Sequence, residues 1–409
     1  MSKTTEIIQQ FDEHVIPAYA RRPIVFVKGK GAKLWDAEGK VYLDFLAGIS
    51  VLNVGHSHPV VVEAIRQQAG LLTHVSNLYY TENQGRLAQA LAGLALGGKC
   101  FFCNSGAEAN EALIKLARLW GHEKNRFEII TMKNSFHGRT LATLTATGQD
   151  KVQKGFDPLP SGFVHAKFND LESVKEAITA RTSAILVEAL QGEGGVIPAT
   201  AEFMQGLRAL CDKKDLLLLC DEVQCGMGRT GKWFAFQHFD IEPDAFSMAK
   251  ALGSGFPIGA IVTNPKLADV FQPGKHATTF GGTPLACAAA LATVQVIEQE
   301  NLLQHASDLG ARFKKGLQAL VEKYPEHFTE VRGLGLMLGL VLTASAKPLE
   351  DKLMEMGLIT LATGKQVLRF LPPLTVKPNE VDEALDMIAD ACTEMFGTGE
   401  GTAEDTKPE

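Results

Sequence analysis

The segment DLLLLCDEVQCGMGRTG, residues 215–231, decides the fold class. The unbroken apolar run from Leu216 to Cys220 lacks the alternation of a half-exposed strand, and reads instead as a strand buried on both faces, as in a parallel sheet. The run ends at Asp221 and Glu222 and passes into a glycine-rich loop. In open α/β sheets ligands bind beyond the carboxyl ends of the strands, which is where Asp221 would sit. A strand-end carboxylate also serves as a turn cap or a structural ion-pair partner, so Asp221 gains weight only in company.

Outward from this segment the pattern repeats. Helix-like HPVVVEAIRQQAGLL (58–72) and QGRLAQALAGLAL (84–96) alternate with apolar runs FEIITM (127–132), SAILVEAL (183–190) and AFSMAK (245–250). Such alternation predicts a mainly parallel sheet between helices, in an α/β fold. Upstream, VFVKGKGAKLWDAEGKVYLDFLAG (25–48) is a set of short β-rich runs broken by glycine and acidic turns, which predicts a small antiparallel sheet. Downstream, a long helical stretch over 284–324 leads into the strands GLGLMLGLVL (333–342) and VLRFLPPL (367–374). The expected organisation is an N-terminal segment over 1–57 belonging to a small domain, a large domain over 58–285, a smaller C-terminal α/β domain over 286–396, and a disordered tail over 397–409. A chain of 409 residues favours more than one domain.

Two further segments supply the company that Asp221 needs. In DAFSMAKALGSGFPIGA (244–260), Lys250 follows an apolar strand, where lysine is rare, and precedes glycines that let a backbone approach a bulky ligand. A desolvated lysine has a depressed pKa and offers a neutral, nucleophilic amine. In CFFCNSGAEANEALIKLARLWG (100–121), a strand passes through Ser105, Gly106 and Ala107 into a helix whose free N–H groups and positive dipole end suit a phosphate. The same residues also read as an ordinary cap, with Ser105 and Glu108 closing a capping box. An amine, a carboxylate and an anion cradle together suit an aldehyde cofactor bearing a ring nitrogen and a phosphate.

Composition narrows the alternatives. Apolar residues make up 45%, charged residues 21%, and mean hydropathy is near zero, as in ordinary globular proteins. The net charge is −7, of which the last thirteen residues carry −3, leaving the body nearly balanced and without the basic excess that nucleic acid requires. No apolar run is long enough to span a bilayer and no secretory leader opens the chain, so a cytoplasmic protein is expected. Seven scattered cysteines give no disulfide framework. Cys100 and Cys103 form a single CxxC, read as a buried strand entering a loop, and His56 and His58 of GHSHP lack a third metal ligand nearby, so no metal is expected.

The three segments, with FLAGI (45–49), GHSHP (55–59), HVSNLYYTENQ (74–84), SFHGRT (135–140), LVEALQGEGG (186–195), TTFGGTPLACAAA (278–290) and LRFLPPL (368–374), closely resemble the class III, fold-type I aminotransferases over residues 19–395. The resemblance implies a large domain with a mainly parallel seven-stranded sheet, and pyridoxal 5′-phosphate as cofactor. It implies that Lys250 carries the cofactor as a Schiff base and shuttles the substrate proton, that Asp221 pairs with the ring nitrogen, and that Gln224 bonds the ring's phenolic oxygen. Phe136 and Val223 would cover the ring's two faces. Ser105, Gly106 and Ala107 would bind the phosphate with Thr279 of a second subunit, so the resemblance also implies a homodimer with its sites at the interface. Arg139 and Arg369 would bind the side-chain and α-carboxylates, Glu193 would pair with Arg369 or another cation when a distal amine enters, and Tyr19 would line the entrance.

The activity so implied is transfer of the δ-amino group of N2-acetyl-L-ornithine to 2-oxoglutarate, with an apolar Ile49 leaving room for the acyl group. Succinylornithine, succinyl-diaminopimelate, ornithine and 4-aminobutyrate remain open as donors, and an aminomutase is a remoter possibility. Neither nucleic acid nor membrane is an expected partner. Thr283 departs from the asparagine that many relatives carry after FGG.

Overall fold

The computed structural model describes residues 2–397, so the expected tail lies, beyond Gly397, outside the described residues. Strands β1 (Phe26–Lys30), β2 (Lys33–Asp36) and β3 (Val41–Asp44) open the chain as an antiparallel meander. The middle holds β4 (Cys100–Cys103), β5 (Glu128–Met132), β6 (Phe163–Ala166), β7 (Thr182–Val187), a short hairpin of β8 (Leu190–Gln191) and β9 (Ile197–Pro198), then β10 (Leu217–Asp221), β11 (Ala245–Met248) and β12 (Gly259–Thr263). The last strands are β13 (Phe328–Leu334), β14 (Met337–Leu342), β15 (Leu358–Ile359), β16 (Leu361–Thr363) and β17 (Val367–Phe370).

A seven-stranded sheet in the order β4-β12-β11-β10-β7-β5-β6 forms the centre. Every neighbouring pair is parallel except the two that involve β12, so the expected mainly parallel α/β architecture is what the chain adopts. Strand β10 is the middle strand and is buried along its whole length, which explains its unbroken leucine run. Its side chains alternate between two cores. Leu218 and Cys220 join one cluster, while Leu217 and Leu219 join the other with Leu113 and Leu116 of the helix Gly106–Gly121.

The antiparallel sheet β13-β14-β17-β16 carries the C-terminal part, and β15 leaves it to pair in parallel with β3. Strands from the two ends of the chain therefore share one sheet. The helical stretch over 284–324 is not continuous. It breaks into Pro284–Gln299 and Leu302–Lys323 at Asn301, whose left-handed φ of 50° ends the first helix and starts the second. The first of these is buried nearly all round, whereas the second buries one stripe through Ala306, Leu309, Phe313, Leu317 and Leu320.

Burial of Cys100 and Cys103 pushes both thiols up to about 12, so they pack as small apolar groups on β4. His56 Nε2 lies 2.7 Å from Asp44 Oδ2, and His58 Nε2 lies 3.2 Å from Glu300 Oε1. Among the described residues, no helix is long and apolar enough to cross a membrane.

Candidate active site

The middle strand and its neighbour place the two central groups. Asp221 is the last residue of β10, and Lys250 follows β11 by two residues. Both line a cavity of about 250 Å³ with Gly106, Ala107, Asn110, Phe136, His137, Arg139, Glu188, Val223 and Gln224. Lys250 has φ of 38°, a left-handed conformation that a side chain bears only where its surroundings enforce it, and such strain collects at functional sites. Burial lowers the Lys250 pKa below the usual lysine range, and the Arg369 charge adds to that effect against the opposing carboxylates Glu193, Asp221 and Glu188. A larger neutral fraction of amine follows, as nucleophilic attack demands.

Asp221 is held from several sides. Its Oδ2 accepts from Asn110 Nδ2 and His137 Nδ1, both at 2.7 Å, and its Oδ1 accepts from the Val223 N–H at 3.0 Å. Ser247 on β11 donates to Asn110 Oδ1 at 2.7 Å, which fixes the amide that grips Asp221. Sequence reasoning did not single out Asn110, His137 or Ser247. The signal was present for Asn110, a polar residue on the buried stripe of an apolar helix between Ala109 and Leu113. For His137 and Ser247 the spacing carried no comparable signal. Glu188 was also missed. Burial pushes its carboxyl well above the usual range and nearby Asp221 adds to the rise, while the Phe136 N–H donates to it at 3.2 Å.

At the N-terminus of the helix Gly106–Gly121, Ser105 caps by accepting from the Glu108 N–H at 3.2 Å. The Glu108 carboxylate reaches the N–H of Asn104 at 2.6 Å rather than that of Ser105, so the expected capping box is displaced by one residue. A Cβ on Gly106 would fall 2.6 Å from Val223 Cγ1, so only glycine lets this helix end approach the loop after β10.

The second cluster centres on Arg369 of β17, which is fully buried. Its Nη1 donates to Glu193 Oε1 at 2.6 Å and to Gln224 Oε1 at 3.0 Å. Burial disfavours the Glu193 carboxylate, but the adjoining Arg369 guanidinium outweighs it and holds the group below the usual range. The other edge of Arg369 is bare, for Nε and Nη2 are buried and have no partner among the described residues. That edge is the fork that grips a carboxylate side-on, and an unmet buried donor pair costs free energy until an acceptor arrives. Arg139 is exposed beside the cavity, its guanidinium 5.5 Å from the Phe136 ring centre.

Of the expected residues, Ser105, Glu193 and Arg369 adjoin the cavity without lining it, joined to it through Gly106 and Gln224, and Thr279 and Tyr19 stand apart from it. Thr279 is exposed and borders a separate pocket with Asn104, Glu108 and Phe280, and Tyr19 is 74% exposed beside Arg21.

Glu222, next to Asp221, points away into the core, accepting from the N–H groups of Ala235 and Phe236 at 2.8 and 2.9 Å. Burial outweighs these bonds and pushes its carboxyl from 4.5 up to about 7. The folded chain thus holds this proton more tightly than the unfolded chain. The stabilisation is complete below about 4.5 and is lost as pH rises through about 7. The melting temperature is expected to fall over that interval, and to fall less in Glu222→Gln by the equivalent of about 1 kcal/mol or more. An identical fall in the variant would show that another group titrates.

The cavity fits pyridoxal 5′-phosphate on its own chemistry: an amine for the aldehyde, a clamped carboxylate for the ring nitrogen, Phe136 and Val223 for the ring, and a glycine-lined helix end for the phosphate. Comparison with known proteins agrees. The model of the family described as aminotransferase class-III matches residues 16–392. The acetylornithine aminotransferase of Gloeobacter violaceus is 50% identical over 384 residues, covering 93% of this chain and 96% of that one. Among solved structures, the ornithine aminotransferase of Toxoplasma gondii superposes with a TM-score of 0.92 at 32% identity, covering 97% of this chain and 96% of that chain. The acetylornithine aminotransferase of Elizabethkingia anophelis does so with a TM-score of 0.85 at 34% identity, covering 96% and 99%. With its lysine, clamped aspartate and glycine-lined helix end in one cavity, and a match running through nearly all its length, this chain belongs to the class-III aminotransferases, which are pyridoxal-phosphate enzymes.

Proposed function

We propose that the chain transfers the δ-amino group of N2-acetyl-L-ornithine to 2-oxoglutarate in two half-reactions, in the biosynthesis of arginine. The observation that carries this reading is the paired state of Arg369. One edge is bare for a carboxylate, and the other is tied to Glu193, whose charge suits an arriving amine. Relatives about half identical to this chain that are named for acetylornithine support the choice of donor.

Pyridoxal 5′-phosphate, when bound, supplies the aldehyde that exchanges amines and a ring that accepts the electron pair released at the substrate carbon. Lys250 Nζ takes the proton from that carbon and returns it. Asp221, clamped by Asn110 and His137, holds the proton on the ring nitrogen. Gln224 bonds the phenolic oxygen, Phe136 and Val223 hold the ring between them, and Ser105, Gly106 and Ala107 hold the phosphate. Arg369 and Arg139 orient the two carboxylates, and Glu193 releases Arg369 when the dicarboxylate enters. Tyr19 lines the entrance.

A homodimer is part of the same reading, with Thr279 of each subunit completing the phosphate site of the other. The exposed apolar residues Leu78 and Phe280, which border the same pockets as Thr279, support it. The division into 1–57, 58–285 and 286–396, and action in the cytoplasm, belong to the proposal too.

The test is a donor panel at saturating 2-oxoglutarate. Acetylornithine should give the highest kcat/KM, and preference for ornithine, 4-aminobutyrate or a succinylated donor by about tenfold or more would replace the assignment. Amine exchange without any 2-oxo acid would point to an aminomutase.

A further inference from the structure

The least expected charge is Arg229, of the GMGRTG loop, which is fully buried with no carboxylate of the described residues bonded to it. Every nitrogen of its guanidinium donates to a neutral acceptor. Nε donates to Ser50 Oγ at 2.9 Å, Nη1 to the carbonyls of Leu336 (3.0 Å) and Pro372, and Nη2 to Asn53 Oδ1 at 2.5 Å. Burial pulls its pKa from 12.5 down to about 9, and the distant Asp44 charge only partly offsets this. A desolvated charge of this kind is costly, and an apolar side chain would fill the space without that cost. Something other than packing is served.

The acceptors show what. Ser50 closes a turn in which Ala47, Gly48, Ile49 and Ser50 all have positive φ, between 48° and 66°. Consecutive left-handed residues are strained and persist only where their surroundings hold them. The Ser50 hydroxyl that accepts from Arg229 donates in turn to the Gln224 carbonyl at 2.9 Å. Pro372 lies three residues beyond Arg369, and the segment around it is tied to the residues flanking that N-terminal turn by Leu371 N–H to Phe45 O and Leu374 N–H to Asn53 O, both 2.6 Å. The side chains of Gln224 and Arg369 meet at 3.0 Å. Two routes thus leave Arg229, one through Ser50 to Gln224 and one through Pro372 to β17, and they close on the bare fork of Arg369.

We propose that Arg229 is a positioning residue for the substrate carboxylate: by bonding Ser50, Asn53, Leu336 and Pro372 at once, it sets the separation of Gln224 and Arg369 and so the aim of the Arg369 fork. This rests on the reading of Arg369 as a carboxylate binder. The loop GMGRTG, the turn that follows FLAGI and the end of LRFLPPL thus meet at this one side chain.

Ser50→Ala and Arg229→Lys, made singly and together in the holoenzyme, test the proposal by calorimetric binding of glutarate, a dicarboxylate that cannot react, and by steady-state kinetics with 2-oxoglutarate. Ser50→Ala keeps the turn's strain and removes only the bridging hydroxyl, while Arg229→Lys keeps the charge and loses the fork. Each should weaken glutarate binding and raise the KM for 2-oxoglutarate about tenfold, with kcat within about twofold of wild type. The double variant should bind glutarate no more weakly than Arg229→Lys alone, because both changes cut one relay. Glutarate affinity and KM within about twofold of wild type in Ser50→Ala, whatever the melting temperature, would reduce Arg229 to a structural staple and overturn the proposal, even should Arg229→Lys fail to fold. Unchanged glutarate binding in Arg369→Lys would instead overturn the carboxylate reading beneath it.

Discussion

Replacing Lys250 with alanine is expected to lower kcat for transamination by about four orders of magnitude or more. The substitution removes the base that moves the substrate proton, a contribution of about 10²- to 10⁴-fold by itself, and also the nucleophile that binds the cofactor covalently. The fold should survive, because the substitution removes an ammonium that burial disfavours, and alanine bears the φ of 38° no worse than lysine does. Melting temperature should therefore hold or rise. In absorbance, the wild-type protein loaded with pyridoxal phosphate should show a band that bleaches with acetylornithine and returns with 2-oxoglutarate, and the variant should lack this cycle. A variant that kept more than about one hundredth of the wild-type kcat would require another base in the cavity, and Glu188 would be the first to examine.

The second large effect is expected at Asp221. In Asp221→Ala the ring nitrogen loses its partner, and the donors Asn110 Nδ2 and His137 Nδ1 lose their shared acceptor in a buried site. Leaving such groups unmet costs about 3 to 5 kcal/mol where a charge is involved, so kcat/KM should fall by about 10³-fold. Asp221→Asn should fare little better despite its shape, because its amide nitrogen would face either the two donors that converge on Oδ2 or the Val223 N–H at Oδ1. Measuring kcat/KM together with pyridoxal-phosphate affinity separates the two losses. A fall of less than about tenfold in Asp221→Ala would mean that the ring nitrogen is not held by this carboxylate.

Most of the architecture was legible along the chain because it rests on local pattern. The continuous apolar run 216–220 reads as the middle strand of a parallel sheet, since only burial on both faces removes alternation. Lys250 was legible from the same logic, a charge set against Ala245, Phe246, Met248 and Ala249, and Gly106 from its place between a strand and a helix. The break at Asn301 was not. A continuous helix-like stretch hides a left-handed residue, because asparagine tolerates that conformation without announcing it.

The sequence by itself determined the α/β class, the strand ends that bear Asp221 and Lys250, and the family to which these motifs belong, all properties set within a dozen residues by hydrophobic period and turn chemistry. Only the tertiary structure decided which polar groups meet. The Asn110 and His137 clamp on Asp221 spans 111 and 84 residues of chain, the Glu193 to Arg369 pair 176, and the Arg229 bonds to Ser50 and Pro372 span 179 and 143. Hydrogen bonds of that reach leave no period in the sequence. They exist because packing the sheet, the N-terminal turn and β17 against one another desolvates the groups together, and a desolvated donor must find whatever acceptor the fold has brought beside it.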